Sequence, residues 1–375
     1  MNHARSLAFF ALLAIGCTGF DSQLLPNASD QEAGGDNASE DGGDVSLKSY
    51  VVSTLAGTGE AGAADGPGSQ ATFRNPTGIA IGPDGSLYVA DHNTIRKIAV
   101  DGTVSTYAGT GETDLTDGSC AAATFWYPFD IAVDAVGNVY VADWANNAIR
   151  KIYPTPCQVI TLAGAGPNNP GASDGVGPAA MFQVPRGLTL DASGNVYVAD
   201  SYNNKIRKVD PKGNVTTVAG TGTAGHDEGP ASSATFNWPT GIAVDTAGIL
   251  YVAESINNDI RKIADDQVTT LAGSGAAGLI DSTGTDAAFS ASQGIAIDAK
   301  GNLFVADSGN NAIREVTPAG EVTTIAGTSV KGADDGPADT ATFYDPHGVA
   351  VSPNGVIYVA DSGNNKIRKI TPVGQ

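Results

Sequence analysis

Apolar and polar residues alternate along this chain in short runs, and the runs themselves recur. The tetrapeptide YVAD or a close relative ends at Asp91, Asp143, Asp200, Glu254, Asp307 and Asp361, at successive spacings of 52, 57, 54, 53 and 54 residues. Each unit carries the same four apolar runs in the same order, as in the third: RGLTL (186–190), NVYVAD (195–200), NKIRKV (204–209) and NVTTVAG (214–220). Short runs rich in β-branched and aromatic residues, separated by D-x-x-G-N and P-x-G turns, predict four antiparallel strands per unit. One such sheet alone leaves both faces and both edges exposed, whereas tandem copies set as blades round an axis bury them. The chain from residue 50 to 375 therefore reads as all-β, a six-bladed β-propeller with four-stranded antiparallel blades.

The phase of the repeat predicts how the ring closes. The outer-strand motif occurs first as VSTLAG (52–57), before the first blade, and the last blade ends at NKIRKITPVGQ without one. Residues 51–57 are expected to pair beside Ile367 to Ile370 and complete the sixth blade. The same stretch contains G-x-G-x-x-G at Gly57, Gly59 and Gly62, a spacing that also serves dinucleotide-binding turns. It recurs from Gly220 and Gly273, always leaving an outer antiparallel strand and never inside a βαβ unit, so turn geometry accounts for it.

Composition adds the parts that periodicity does not reach. With 48 Gly and 19 Pro in 375 residues, turns dominate and helical periodicity is nearly absent. Residues 1–17, MNHARSLAFFALLAIGC, have a basic start, an apolar run too short to span a bilayer and a cysteine at the end. The ending LAIGC resembles a lipoprotein signal, which implies cleavage before Cys17, lipid on Cys17 and an extracytoplasmic, envelope-anchored protein; ordinary secretion is the alternative. Residues 18–49 hold seven acids against the single Lys48 and almost nothing to bury, an acidic spacer of the disordered type. The formal charge of −20, without a basic patch interleaved with aromatics, excludes nucleic acid as a partner.

The consensus GN-YVAD-NN-IRKI…G-VTT-AG…DG…ATF-P-GIA resembles the NHL-repeat family of β-propellers in all six copies. Relatives on that fold include protein-binding and sensor ectodomains, a calcium-dependent lactonase, a peptidylamidoglycolate lyase and a streptogramin lyase, and the fold alone does not choose among them.

A residue that recurs in every blade does one local job six times, while a binding or catalytic site breaks the symmetry. By that rule the YVAD acids and the asparagines after them are expected to serve their own turns. The arginines Arg96, Arg150, Arg207, Arg261, Arg314 and Arg368 are expected to pair with the acids. The A-x-F positions, Phe73, Phe125, Met181, Phe236, Phe289 and Phe343, read as core plugs. Since antiparallel strands reverse, the loops entering each inner strand and the loops between second and third strands surround one mouth of the channel. The variable residues there include His92, Trp126, Tyr127, Phe129, Asp130, Trp144, Arg186, Tyr202, Trp238, Tyr344 and His347, an aromatic and charged set suited to gripping a ligand. His347, with Asp345 and Arg186, is the first choice for chemistry.

Four histidines, one in the leader, are too few for a zinc centre of converging imidazoles, and no cofactor is expected. Calcium remains open because acids and asparagines supply oxygen ligands. Cys120 and Cys157 both depart from the repeat within one unit, which favours a disulfide. Against it, one belongs to the mouth-side loop and the other to the opposite turn, roughly 17 Å apart along a blade. A bridge requires the loop to fold down the blade's side, and that choice stays open. The favoured function is non-catalytic binding of a protein, peptide or glycan by a monomeric anchored propeller. A metal-dependent lyase or lactonase, or a purely structural envelope protein, are the alternatives.

Overall fold

The computed structural model describes residues 49–374. The leader, Cys17 and the acidic spacer up to residue 48 lie outside them. The described chain forms six antiparallel sheets in sequence. Blade one runs outward as Pro76–Ile81, Leu87–Asp91, Thr94–Ile98 and Thr103–Ala108, and the other blades repeat that order. Alternation along each strand sends apolar side chains to both faces, so the core is a set of slabs between neighbouring blades. One slab joins Phe73, Ile79, Leu87 and Val89 of blade one to Ala350, Ala360 and Ile367 of blade six.

The ring closes as the repeat phase requires. Tyr50–Ala56 lies antiparallel to Lys366–Pro372, with Val52 opposite Ile370 and a register shift between Thr54 and Ala56. Val52 is fully buried, so this pairing seals a core slab as well as a sheet edge.

Five of the six blades add a two-residue edge strand to the four. In blades one, two, three, four and six the D-G-x segment of the incoming loop forms a short fifth strand against the outer strand, as Gly66–Pro67 does against Thr103 and Val104. Blade five has four strands and only an isolated bridge, Thr283 to Glu321, at that edge. This draped loop decides the disulfide. Gly118 and Ser119 pair with Val159 and Gln158, which carries Cys120 down the blade's side to Cys157. The two cysteines are bonded, with Cα atoms 5.4 Å apart. The separation expected from blade height fails because the incoming loop does not stay at the mouth.

The draped loop also completes a bracket. In blades one, two, three, five and six a wholly buried arginine, such as Arg207, bonds the YVAD acid with one terminal nitrogen and an acid of the draped loop, D-G in all but blade five's Asp281, with the other. All ten contacts lie between 2.7 and 2.9 Å. The guanidinium also donates to two loop carbonyls, Met181 and Ser173 for Arg207, and rests over the ring of the A-x-F phenylalanine. A buried charge is tolerable only with this degree of pairing. Two expectations need correction. The third-blade plug is Phe182, fully buried under Arg207, not Met181, because the repeat aligns AMF with ATF. The acids and asparagines reach beyond their own turns: Asp200 accepts the amide of Gln183 in the entry loop as well as the Asn203 side chain.

Candidate functional site: the channel mouth

At the axial end of the blades, at the start of the inner strand or just before it, stand Thr77, Phe129, Arg186, Thr240, Gln293 and His347, followed in turn by Gly78, Asp130, Gly187, Gly241, Gly294 and Gly348. Glycine is a packing requirement here. A Cβ on Gly187, Gly241, Gly294 or Gly348 would stand 2.1–2.4 Å from the next blade's backbone carbonyl. Blade two breaks the ring. The carboxylate of Asp130 accepts the amides of Ile131 at 2.9 Å and of Leu188, in blade three, at 3.0 Å. It lines an axial cavity of about 10 Å³, room for a single water. Burial pushes the Asp130 carboxyl up to about 7, against the two amide donors that favour its charged form.

The junctions between blades show the same exception. Thr77 donates its hydroxyl to the Pro128 carbonyl at 3.1 Å, and Thr240 to that of Ser292 at 2.8 Å. Where the axial residue is not threonine, the serine after YVAD does this: Ser201 to Pro239, Ser308 to Pro346 and Ser362 to Pro76. The passage from blade two to blade three has neither, since Phe129 and Trp144 occupy those positions, and Asp130 to Leu188 replaces the tie.

One step above the ring, the residue before each entry proline or its Ser292 equivalent sits in the left-handed region. Asn75, Tyr127, Val184, Trp238, Ala291 and Asp345 have φ between 49° and 59°. The conformation is costly for such side chains, more so before proline. It is held by the preceding blade: each amide donates to an asparagine side-chain oxygen, or to Asn93 in blade one's shorter loop, at 2.8–3.2 Å. Six clamped positions thus present six different side chains to the mouth.

With their neighbours on the inner strands and second loops, the aromatic and charged ones form two groups. An arc crosses the axis from Tyr202 edge-on to Trp238, through the Arg186 guanidinium between Trp238 at 5.1 Å and Phe129 at 4.8 Å, to His347 stacked on Phe129 at 5.7 Å. Arg186 donates to the Gln293 side chain at 3.3 Å, so blades two, three, four, five and six all contribute. His347 Nε2 stands 3.3 Å from Asp345 Oδ2, while its Nδ1 is buried without a hydrogen-bond partner among the described residues. The Asp345 carboxyl lies below its usual range: the hydrogen bond and charge of His347, with Lys331 and Arg186, outweigh its burial. The second group packs His92, Tyr127 and Trp144 edge-to-face at 5.0 and 5.9 Å. Tyr127, Tyr202 and Tyr344 expose 40%, 43% and 39% of their surface, so open aromatic area is concentrated here.

The sequence-derived set is thus brought together in large part. Tyr344 lies beneath the Lys331 ammonium at 4.8 Å, and Trp126 is placed by its amide, which donates to Asp143. The sequence reading placed Asp130 among the ligand-gripping residues and missed its bond to Leu188 across the blade junction, and it passed over the Thr or Ser ties, whose two alternative sources hide the pattern. Among the described residues no three His, Cys, Asp or Glu side chains gather as a metal-binding group.

Fold and mouth together define a six-bladed propeller whose variable chemistry is gathered at one end of a nearly closed axis. Residues 182–209 and 343–370 match the NHL repeat model, and residues 49–114 match the teneurin NHL domain. The chain is similar to human teneurin-1, 28% identical over 380 residues, covering 87% of this chain but only 13% of the teneurin. An auxiliary nutrient binding protein from Bacteroides ovatus shares the fold at a TM-score of 0.66 and 18% identity, covering 88% of this chain and 78% of that one. Virginiamycin B lyase from Staphylococcus aureus shares it at 0.51 and 18%, covering 86% and 99%.

Proposed function

We propose that this propeller is a non-catalytic binding protein that takes a protein, peptide or glycan across its channel mouth, outside the cytoplasm and tethered through Cys17. The observation that carries the reading is the convergence of five blades' dissimilar side chains on one arc above an axis too narrow for a ligand. A ligand therefore lies over Tyr202, Trp238, Phe129 and His347 and does not enter the channel. The nutrient-binding description of a structural neighbour and the disulfide, a bond typical of oxidising compartments, support the same reading.

Peptide and glycan arrays probed with the mature chain, then repeated with Tyr202→Ala and Trp238→Ala, test it. Ligands retained by the parent and lost by both variants are expected; retention by both variants overturns the assignment. Anchoring is tested separately by Cys17→Ser, which should release the protein into the soluble fraction. The His347–Asp345 pair beside Arg186 favours one alternative, acid–base chemistry of the lyase or lactonase kind. Turnover of a lactone that depends on His347 and on added divalent metal would establish it.

A further inference from the structure

Blade four carries the same arginine bracket as its neighbours but with the charges rearranged. The residue cross-strand from the YVAD acid is Thr94, Ala148, Lys205, Ala312 or Lys366 in the other blades; here Asp259 stands opposite Glu254. Two carboxylates directly opposed in a sheet repel each other. Both side chains are wholly buried, as is Arg261, which bonds Glu254 at 2.8 Å. Elsewhere the second terminal nitrogen of the arginine meets an acid of the draped loop; in blade four it reaches only the carbonyl of Asp227, at 3.3 Å. The acid in that place, Glu228, turns its carboxylate to the amide of Thr270 instead.

One arginine thus faces two buried acids, and the charge missing from the set comes from His226. Its Nε2 contacts Asp259 Oδ2 and lies 3.5 Å from the Thr270 hydroxyl, while the rest of the imidazole is half exposed and open to solvent protons. The other Asp259 oxygen is buried without a hydrogen-bond partner among the described residues. The charged groups facing this pair are Glu254 on the second strand, Arg261 on the third, and His226 with Glu228 on the draped loop.

We propose that blade four contains a proton-operated latch, in which protonated His226 balances Asp259 and Glu254 and its deprotonation leaves two buried carboxylates facing Arg261 alone. The latch bears on the mouth because Glu254 accepts the amide of Asn237, next to Trp238. Asn257 in turn ties Glu254 to the Gly225 carbonyl, beside His226. Titration directions agree with the geometry. The hydrogen bond to Asp259 raises His226, while burial raises Glu254 and Asp259, the charge of Asp259 adding to the shift of Glu254 and the His226 contact opposing that of Asp259. Groups raised on folding stabilise the native state at low pH and lose that contribution as pH climbs through their folded values. The latch is closed below about 6.5, the ordinary histidine value, and opens above it.

The test uses the full mature chain, with His226 followed by NMR and thermal melting compared between pH 5 and pH 8. His226 is expected to titrate above 6.5. Asp259→Ala, which installs the residue that blades two and five carry, is expected to raise Tm by about 5 °C at pH 8 and by much less at pH 5. Asp259→Asn keeps the shape and should flatten the pH dependence in the same way. His226→Gln should lower Tm at pH 5 and change it little at pH 8. A His226 midpoint at or below 6.5, or an Asp259→Ala effect equal at both pH values, overturns the latch.

Discussion

The arginine bracket and the channel mouth are built from the same six repeats and use them in opposite ways. In the bracket, blades one, two, three, five and six place the same arginine between the same two acids over the same phenylalanine. At the mouth, only the backbone is repeated: left-handed entry residues clamped by asparagine hold side chains as unlike as Asn75, Trp238 and Asp345. The difference teaches where variation is tolerated. A buried charge network admits a changed partner only with another change that compensates it, as His226 accompanies Asp259 in blade four, whereas a clamped backbone carries any side chain its strained conformation admits. The passage from blade two to blade three is where mouth variation reaches the axis, since Asp130 replaces both a ring glycine and a hydroxyl tie.

The comparison can be broken most severely at ring closure, on which both regions depend. A chain starting at Tyr50 is expected to melt like one starting at Thr18, because residues 18–49 carry seven acids and few apolar side chains. Starting at Thr58 removes the Tyr50–Ala56 strand and its pairing with Lys366–Pro372. That loss, on the order of 5 kcal/mol against typical totals of about 5–15, should produce aggregation or a far lower Tm in size-exclusion and melting experiments. Equal stability of the two chains would show that this strand does not hold the ring.

Next in size is Asp200→Ala, which leaves Arg207 buried with only Asp174, itself half exposed, as its carboxylate partner. Breaking a buried ion pair costs about 3–5 kcal/mol, measurable by chemical denaturation. Ser362→Ala removes the hydroxyl tie from blade six to the Pro76 carbonyl and should cost about 1 kcal/mol by the same measurement.

Asp130→Asn sharpens the comparison through pH. Because the folded carboxyl titrates at about 7 and the unfolded one near 3.8, the native state holds the proton longer. Stability contributed by that proton is complete below about 4 and lost as pH rises towards 7. The asparagine variant should lack this part of the slope when Tm is followed from pH 4 to 8. The smallest expected thermal effect belongs to His347→Ala and Trp238→Ala, which should melt within about 0.5 kcal/mol of the parent while abolishing ligand capture. Losses as large as that of Asp200→Ala would erase the distinction between bracket and mouth.

Much of this was legible in the chain. The spacing of the YVAD acids set the blade count, and the displaced VSTLAG motif set the closure, because both depend on strand periodicity and antiparallel order, which are local and repetitive. The mouth list was legible as variable positions at equivalent points of the repeat, and Tyr127, Trp144, Tyr202, Trp238 and Phe129 make ring contacts within it. The Cys120–Cys157 bond was not settled, because it depends on where the loop of residues 109–127 runs after leaving its strand. The same ignorance hid the fifth strands and the second carboxylate on each arginine.

The sequence by itself determined the elements, their number and their order, since hydrophobic period, turn residues and repeat phase act over a few residues at a time. Only the tertiary structure decided which distant groups meet: Asp130 with Leu188 of the next blade, Arg186 with Gln293 across the axis, Asp259 with His226 beneath a draped loop. Those contacts follow from the curvature of the closed ring and the path of its loops, and their energies come from burial and charge, properties that residues acquire only once the blades are packed together.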